Sequence, residues 1–195
     1  MKNEAKIRQQ LIDNATRIIA KGGFEEATTK ALVSDGEMKI NEAYIYRLYG
    51  SKEGLYEAVF TALDDEVFTA FWRRCEKTGG VLSNTRENLY EIFLYAWKFF
   101  LQNEAKCRCY VRFYHSVYFR GTVLANHQKT FSRLISKFYP LFKEEADVYS
   151  IMHSAFTTLF NFAIRVYNGE LPDNDDNREH IFNVVYCMIQ TYLKS

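Results

Sequence analysis

A chain of 195 residues can bury a substantial core and has room for a small module beside a larger domain. Its residues are 48% apolar with only 2 Pro and 9 Gly, which permits long helices and disfavours a turn-rich β-sandwich, so an all-α protein is expected. The formal net charge of +1 excludes a broadly basic nucleic-acid-binding chain, and residues 1–55 carry nine Lys or Arg against eight Asp or Glu, so any DNA contact must come from local charge placement.

No apolar run follows the charged start, and no stretch of about 18 uncharged apolar residues occurs, so neither export nor membrane spanning is expected and a cytoplasmic location is. Cys75, Cys107, Cys109 and Cys187 are too scattered for a disulfide framework and read as reduced thiols. The aromatic content of 16% implies a bulky core, an aromatic-lined cavity, or both.

From Ile7, the apolar residues Leu11, Ala15, Ile18 and Ile19 mark one helix face, which Gly22-Gly23 stops. Thr28 and Thr29 offer N-cap hydroxyls to a short second helix around Leu32 that ends near Gly36. Asn41 caps a third, in which Ile45 and Leu48 face inward and Tyr44 and Arg47 do not. Ser51 caps a fourth, with Gly54 where a capping-box acid would sit and Glu53 placing negative charge near the positive helix end. Short helices joined by a tight turn make a helix-turn-helix layout. The fourth helix runs from Lys52 to about Lys77, before Gly79-Gly80. Further helices are expected at about 84–103, 105–119, 122–139 before Pro140, 145–168 and 177–193, the last two separated by the acidic linker GELPDNDDN. The chain reads as a head, residues 1–55, and a larger helical body, residues 56–195.

The segment GFEEATTKALVSDGEMKINEAYIYRLYGSKEGLYEAVF resembles the signature of the TetR family: a Gly-Phe, a Thr pair, a turn, then a Tyr-rich recognition helix followed by Ser-Lys-Glu. The resemblance covers about a quarter of the chain. It implies an N-terminal three-helix, helix-turn-helix DNA-binding head and a C-terminal helical domain for ligand binding and dimerisation. Lys39 stands where the family has a turn glycine, and the stretch from Thr29 to Tyr46 is about one residue longer than usual. Gly36 can take over the left-handed position, with a longer turn through Met38 and Ile40.

Thr29, at a helix N-terminus, is suited to a phosphate oxygen as well as to capping. By the resemblance, Tyr46 and Lys52 grip phosphate. Glu42, Ala43 and Tyr44 form the first turn of the recognition helix, the part that enters the major groove. There Ala43 suits a thymine methyl, Glu42 a cytosine amine, and Arg47 a guanine or a phosphate. A solvated helix-start acid is an equal reading of Glu42. Lys2, Lys6 and Arg8 are either a DNA-contacting arm or ordinary solvated charges.

In the body, Phe93, Trp97, Phe100, Tyr110, Phe113, Tyr114, Tyr118 and Phe156 are candidates to line an effector pocket, about half of them being plain core. Arg112 and His115 could orient a polar or anionic group there. Cys107, Cys109 and His115 lack the second ligand pair of a structural zinc site, and DNDDNREH lacks the calcium-loop glycine and closing glutamate, so no metal or cofactor is expected. His127, His153 and His180 read as isolated, and no nucleophile, acid and base set can be assembled, so the chain is not read as an enzyme. The leading reading is a ligand-responsive regulator, acting as a repressor, that binds double-stranded palindromic operator DNA as a homodimer and is released by a small hydrophobic or aromatic effector. The alternative is a co-regulator of the same fold that binds protein and not DNA.

Overall fold

The computed structural model describes residues 2–34, 36, 39–77 and 83–194. The expected helix stop at Gly79-Gly80, Met38 of the expected turn, and the side chains of Lys2 and Cys75 lie outside the described residues. The architecture is all-α, as expected: α1 (Lys2–Gly22), α2 (Thr29–Ser34), α3 (Ala43–Tyr49), α4 (Lys52–Lys77), α5 (Arg86–Gln102), α6 (Glu104–Tyr114), α7 (Gly121–Ile135), α8 (Val148–Tyr167) and α9 (Asp175–Ile189). Short 3-10 turns at Tyr139–Leu141 and Gln190–Tyr192 complete it, with one isolated antiparallel bridge between Phe142 and Leu193.

Side-chain caps set several of these boundaries. Gly23, at φ +89°, ends α1 with its amide bonded to the Ile19 carbonyl at 3.0 Å. The Thr28 hydroxyl accepts from the Ala31 amide at 3.1 Å, and the Asn41 carbonyl oxygen from the Ala43 amide at 2.9 Å. Helix α6 ends at Tyr114 and not near 119, because the Ser116 hydroxyl donates to the Phe113 carbonyl at 2.7 Å while accepting from the Tyr118 amide at 3.1 Å. Helix α9 begins at Asp175, inside the expected linker, because the Asn174 side chain accepts from the Asn177 amide at 2.9 Å.

The chain divides into two compact units. Unit 1 comprises Met1–Glu66 and Ala105–His127; unit 2 comprises Val67–Glu104 and Gln128–Ser195. In unit 1, Leu11, Ala15, Ile19, Leu32, Ile45, Leu55 and Val59 are fully buried. An aromatic cluster extends this core: Phe24 packs against Tyr56 at 5.2 Å, Phe113 at 4.8 Å and Tyr118 at 4.7 Å between ring centroids. Two buried polar contacts fix its register. The Asn14 amide donates to the Leu32 carbonyl at 2.9 Å, and the Tyr56 hydroxyl to the Ala27 carbonyl at 3.1 Å. In unit 2, α5, α8 and α9 bury Phe93 against Phe182 at 5.5 Å and Phe100 against Phe160 at 4.6 Å. The Trp97 indole, 2% exposed, donates to Asp173 at 3.0 Å, and Arg178 closes on the same carboxylate at 2.7 and 2.8 Å.

Gly54 explains the tight joint between α3 and α4. The Ser51 hydroxyl caps α4 by accepting from the Gly54 amide at 3.0 Å, and a Cβ on Gly54 would stand 2.1 Å from the Tyr49 carbonyl oxygen. No capping-box acid fits at this position. Gly54→Ala is expected to destabilise the chain by about 1–3 kcal/mol, the usual cost of overpacking against backbone, read as a lowered midpoint in urea unfolding.

Candidate nucleic-acid interface and effector cavity

Helix α3 is seven residues long and shows two faces. Ile45 is fully buried and Leu48 and Tyr49 are half-buried, whereas Glu42, Ala43, Tyr46 and Arg47 are exposed. Tyr44 is half-buried, and the Arg47 guanidinium lies over its ring at 4.1 Å, an i,i+3 cation–π pair. The far end of α3 is held by α1. Arg8 donates to the Leu48 carbonyl at 3.1 Å and lies over the Tyr49 ring at 5.4 Å, and the Tyr49 hydroxyl donates to the Arg8 carbonyl at 3.2 Å. Arg8 is thus a packing residue of the head and not part of a free arm.

The other residues expected at DNA lie on neighbouring elements of unit 1. Thr29 is the first residue of α2 and half-buried. Lys52 opens α4, its ammonium 5.7 Å from the centroid of the Tyr56 ring. Tyr46, half-buried on residue type alone, is 54% exposed, which leaves its hydroxyl open to a partner. Gly36, at φ +115°, takes the left-handed position in the lengthened turn, and Lys39 beyond it is exposed while Ile40 is buried.

The ten effector candidates do not form one group. Tyr110, Arg112, Phe113, Tyr114, His115 and Tyr118 belong to unit 1, and Phe93, Trp97, Phe100 and Phe156 to unit 2. Phe113 and Tyr118 are spent on the aromatic cluster around Phe24, and Arg112 and His115 are exposed, with Arg112 reaching the Lys21 carbonyl at 3.4 Å. Phe93 and Phe156 do line a cavity, of about 70 Å³, walled entirely by apolar side chains of unit 2 that include Ala96, Ala155, Phe182 and Val185. Its walls include α8, which carries Phe156, and α9. Its lining residues offer water no side-chain hydrogen-bonding partner. Drug-sized ligands need about 300–1,000 Å³, so such a ligand enters only if side chains such as Phe93 or Phe156 swing aside.

One polar constellation escaped the sequence reading. His127, read as isolated, stands 2.9 Å from Asp64, both 4% exposed, and the Tyr110 hydroxyl donates to the same carboxylate at 3.3 Å. Burial holds the Asp64 carboxyl above the usual carboxylate range, against the opposing pull of the His127 and Tyr110 hydrogen bonds. The available signal was periodicity. Asp64 follows Phe60 by four residues and precedes Val67 by three, which puts a carboxylate on the buried face of α4. Cys107 and Cys109 are buried and form no disulfide, and burial pushes the Cys109 thiol up.

Residues 11–59 match the sequence model described as "Bacterial regulatory proteins, tetR family". No curated protein matches the chain. A TetR family transcription regulator from Marinobacter aquaeolei VT8 superposes with a TM-score of 0.79 at 18% identity, covering 100% of both chains. A putative tetR family transcription regulator from Shewanella sp. PV-4 gives 0.72 at 14% identity, over 97% of this chain and 99% of that one. A putative transcriptional regulator from Saccharomonospora viridis, solved in complex with choline, gives 0.64 at 14% identity, over 98% of this chain and 100% of that one. Residues 11–59 are thus similar to the tetR family of bacterial regulatory proteins, and over its whole length the chain has the fold of these solved regulators.

Proposed function

We propose that the chain is a cytoplasmic, ligand-responsive repressor that binds a palindromic operator as a homodimer and performs no catalysis. Residues 1–55 read DNA; residues 56–195 bind the effector and dimerise. The observation that carries this reading is the presented face of α3, where Glu42, Ala43, Tyr46 and Arg47 are exposed while Ile45 anchors the helix in the core. In this reading Thr29, Tyr46 and Lys52 hold phosphates, and Glu42, Ala43, Tyr44 and Arg47 read base edges. Arg47 reaches a base only by leaving Tyr44, so the two act as one unit.

Dimerisation through α8 and α9 is supported by what those helices keep outside their own core. Ile151, Phe162, Val184 and Met188 are only half-buried and Tyr192 is 44% exposed, whereas Ile181, Val185 and Ile189 are used internally. A small hydrophobic or aromatic effector is supported by the all-apolar cavity; the choline-bound regulator is a case of this fold with a small molecule. A hundredfold preference of the effector for the non-binding arrangement supplies about 2.7 kcal/mol per site.

The deciding experiment is binding to the DNA flanking the chain's own gene, followed by fluorescence anisotropy over a range of salt. Lys52→Ala is expected to weaken binding to all sequences and lower the salt slope by about one contact per subunit. Arg47→Ala is expected to alter base preference by about 1–3 kcal/mol at one position per half-site. Absence of any salt-dependent DNA binding would favour the protein-binding co-regulator, and a monomer by light scattering at micromolar concentration would remove the dimer. For the effector, Ala155→Val, which fills part of the cavity, is expected to keep operator affinity while abolishing the response to aromatic and hydrophobic compounds titrated against the operator complex. An unchanged response would place the effector elsewhere.

A further inference from the structure

Three buried polar groups meet inside unit 1 in otherwise aromatic surroundings. Asp64 Oδ1 of α4 lies 2.9 Å from His127 Nδ1 of α7, and the Tyr110 hydroxyl of α6 stands 3.3 Å from that oxygen and 3.5 Å from that nitrogen. The rings of Phe60, Tyr114 and Phe119 pack around the imidazole at 5.9, 6.0 and 5.3 Å. In such a medium a net charge is costly, and the pair is neutral only when it carries one proton, whichever atom holds it. With none it is a buried anion; with two, a buried cation.

We propose that Asp64 and His127, steadied by Tyr110, hold one proton in common and thereby tie α4 to α6 and α7, so that loss of this proton is a regulatory input to the helix that begins at Lys52. The effect on operator affinity rests on the DNA-binding reading above; the retention of the proton does not. Among the described residues, groups acting on the pair include Asp65 on α4, whose charge opposes ionisation of Asp64, the phenols of Tyr110 and Tyr114 on α6, and His127 itself on α7. Burial raises Asp64 above its unfolded value, and loss of the shared proton leaves an anion in these aromatic surroundings, so the folded pair gives the proton up less readily than the unfolded chain does. The stabilisation is therefore greatest while the folded pair carries its one proton, and it is lost as pH rises through the titration of that pair.

The test is urea unfolding of the full chain between pH 6 and 9, comparing the wild type with the Asp64→Asn, His127→Gln double variant. The wild-type unfolding constant is expected to gain up to about tenfold per pH unit relative to the variant, the slope of one linked proton. Equal slopes would overturn the proposal. If the variant does not fold, unfolding the wild type in weak buffer at pH 7.5 decides instead: release of about one proton supports the shared proton, and release of none overturns it. Operator affinity is expected to fall over the same pH range in the wild type and not in the variant. Specific DNA binding that ignores pH while the proton is released would overturn the regulatory role. No DNA binding at any pH would overturn the operator reading and the regulatory role with it, and the proton count would still decide the pair.

Discussion

A helix of seven residues does not persist in water by itself, because nucleating it costs more order than so few hydrogen bonds return. Helix α3 is such a helix, and it exists only through the residues it does not present. Ile45 sinks into the core, the Leu48 carbonyl is taken by Arg8, and the Tyr49 carbonyl sits where Gly54 leaves room for it. The contacts that make α3 helical are the ones that aim it. Exposure of Tyr46 and Arg47 is the geometric remainder of that anchoring. A head with almost no net charge can therefore still offer a directed surface, since position and not total charge decides what its cations meet.

How much of this was legible in the sequence depends on the range of each interaction. Thr28, Asn41 and Ser51 announce helix starts because a cap is made with an amide two or three residues away. The inward and outward faces of α3 follow from Ile45 by helical phase alone. Gly36 could be picked out for the left-handed turn because only local backbone sterics matter there. The end of α6 was misplaced, since the apolar pattern runs on past Tyr114 while the Ser116 hydroxyl quietly closes the helix. The aromatic candidates stood out because their spacing is helical, and spacing does not tell which distant stretch a helix packs against. Tyr118 thus proves to be a neighbour of Phe24, 94 residues earlier in sequence. Pairings such as Asp64 with His127 are invisible for the same reason.

The two units bury different chemistries. Unit 2 holds a cavity lined by apolar side chains, with no group to recognise a charge. Unit 1 holds a carboxylate, an imidazole and a phenol within hydrogen-bonding distance, which respond to protons and polarity. Helix α4 contributes residues to both units.

The carboxylate of Asp173 has a consequence for association that its role in packing conceals. It lies in the segment joining α8 to α9, and its bonds to the Trp97 indole and the Arg178 guanidinium fasten that segment to α5 on one side and to the first turns of α9 on the other. Arg178 donation also keeps the Asp173 carboxyl below the usual range, so the fastening stays ionised through mildly acidic conditions. A hairpin whose connection is already immobile gives up little motional freedom when a second surface settles on it. In the proposed dimer, a partner docking on α8 and α9 would meet a connection already fastened, so complementarity of the two surfaces, and not the ordering of a loop, would set how tightly it stays.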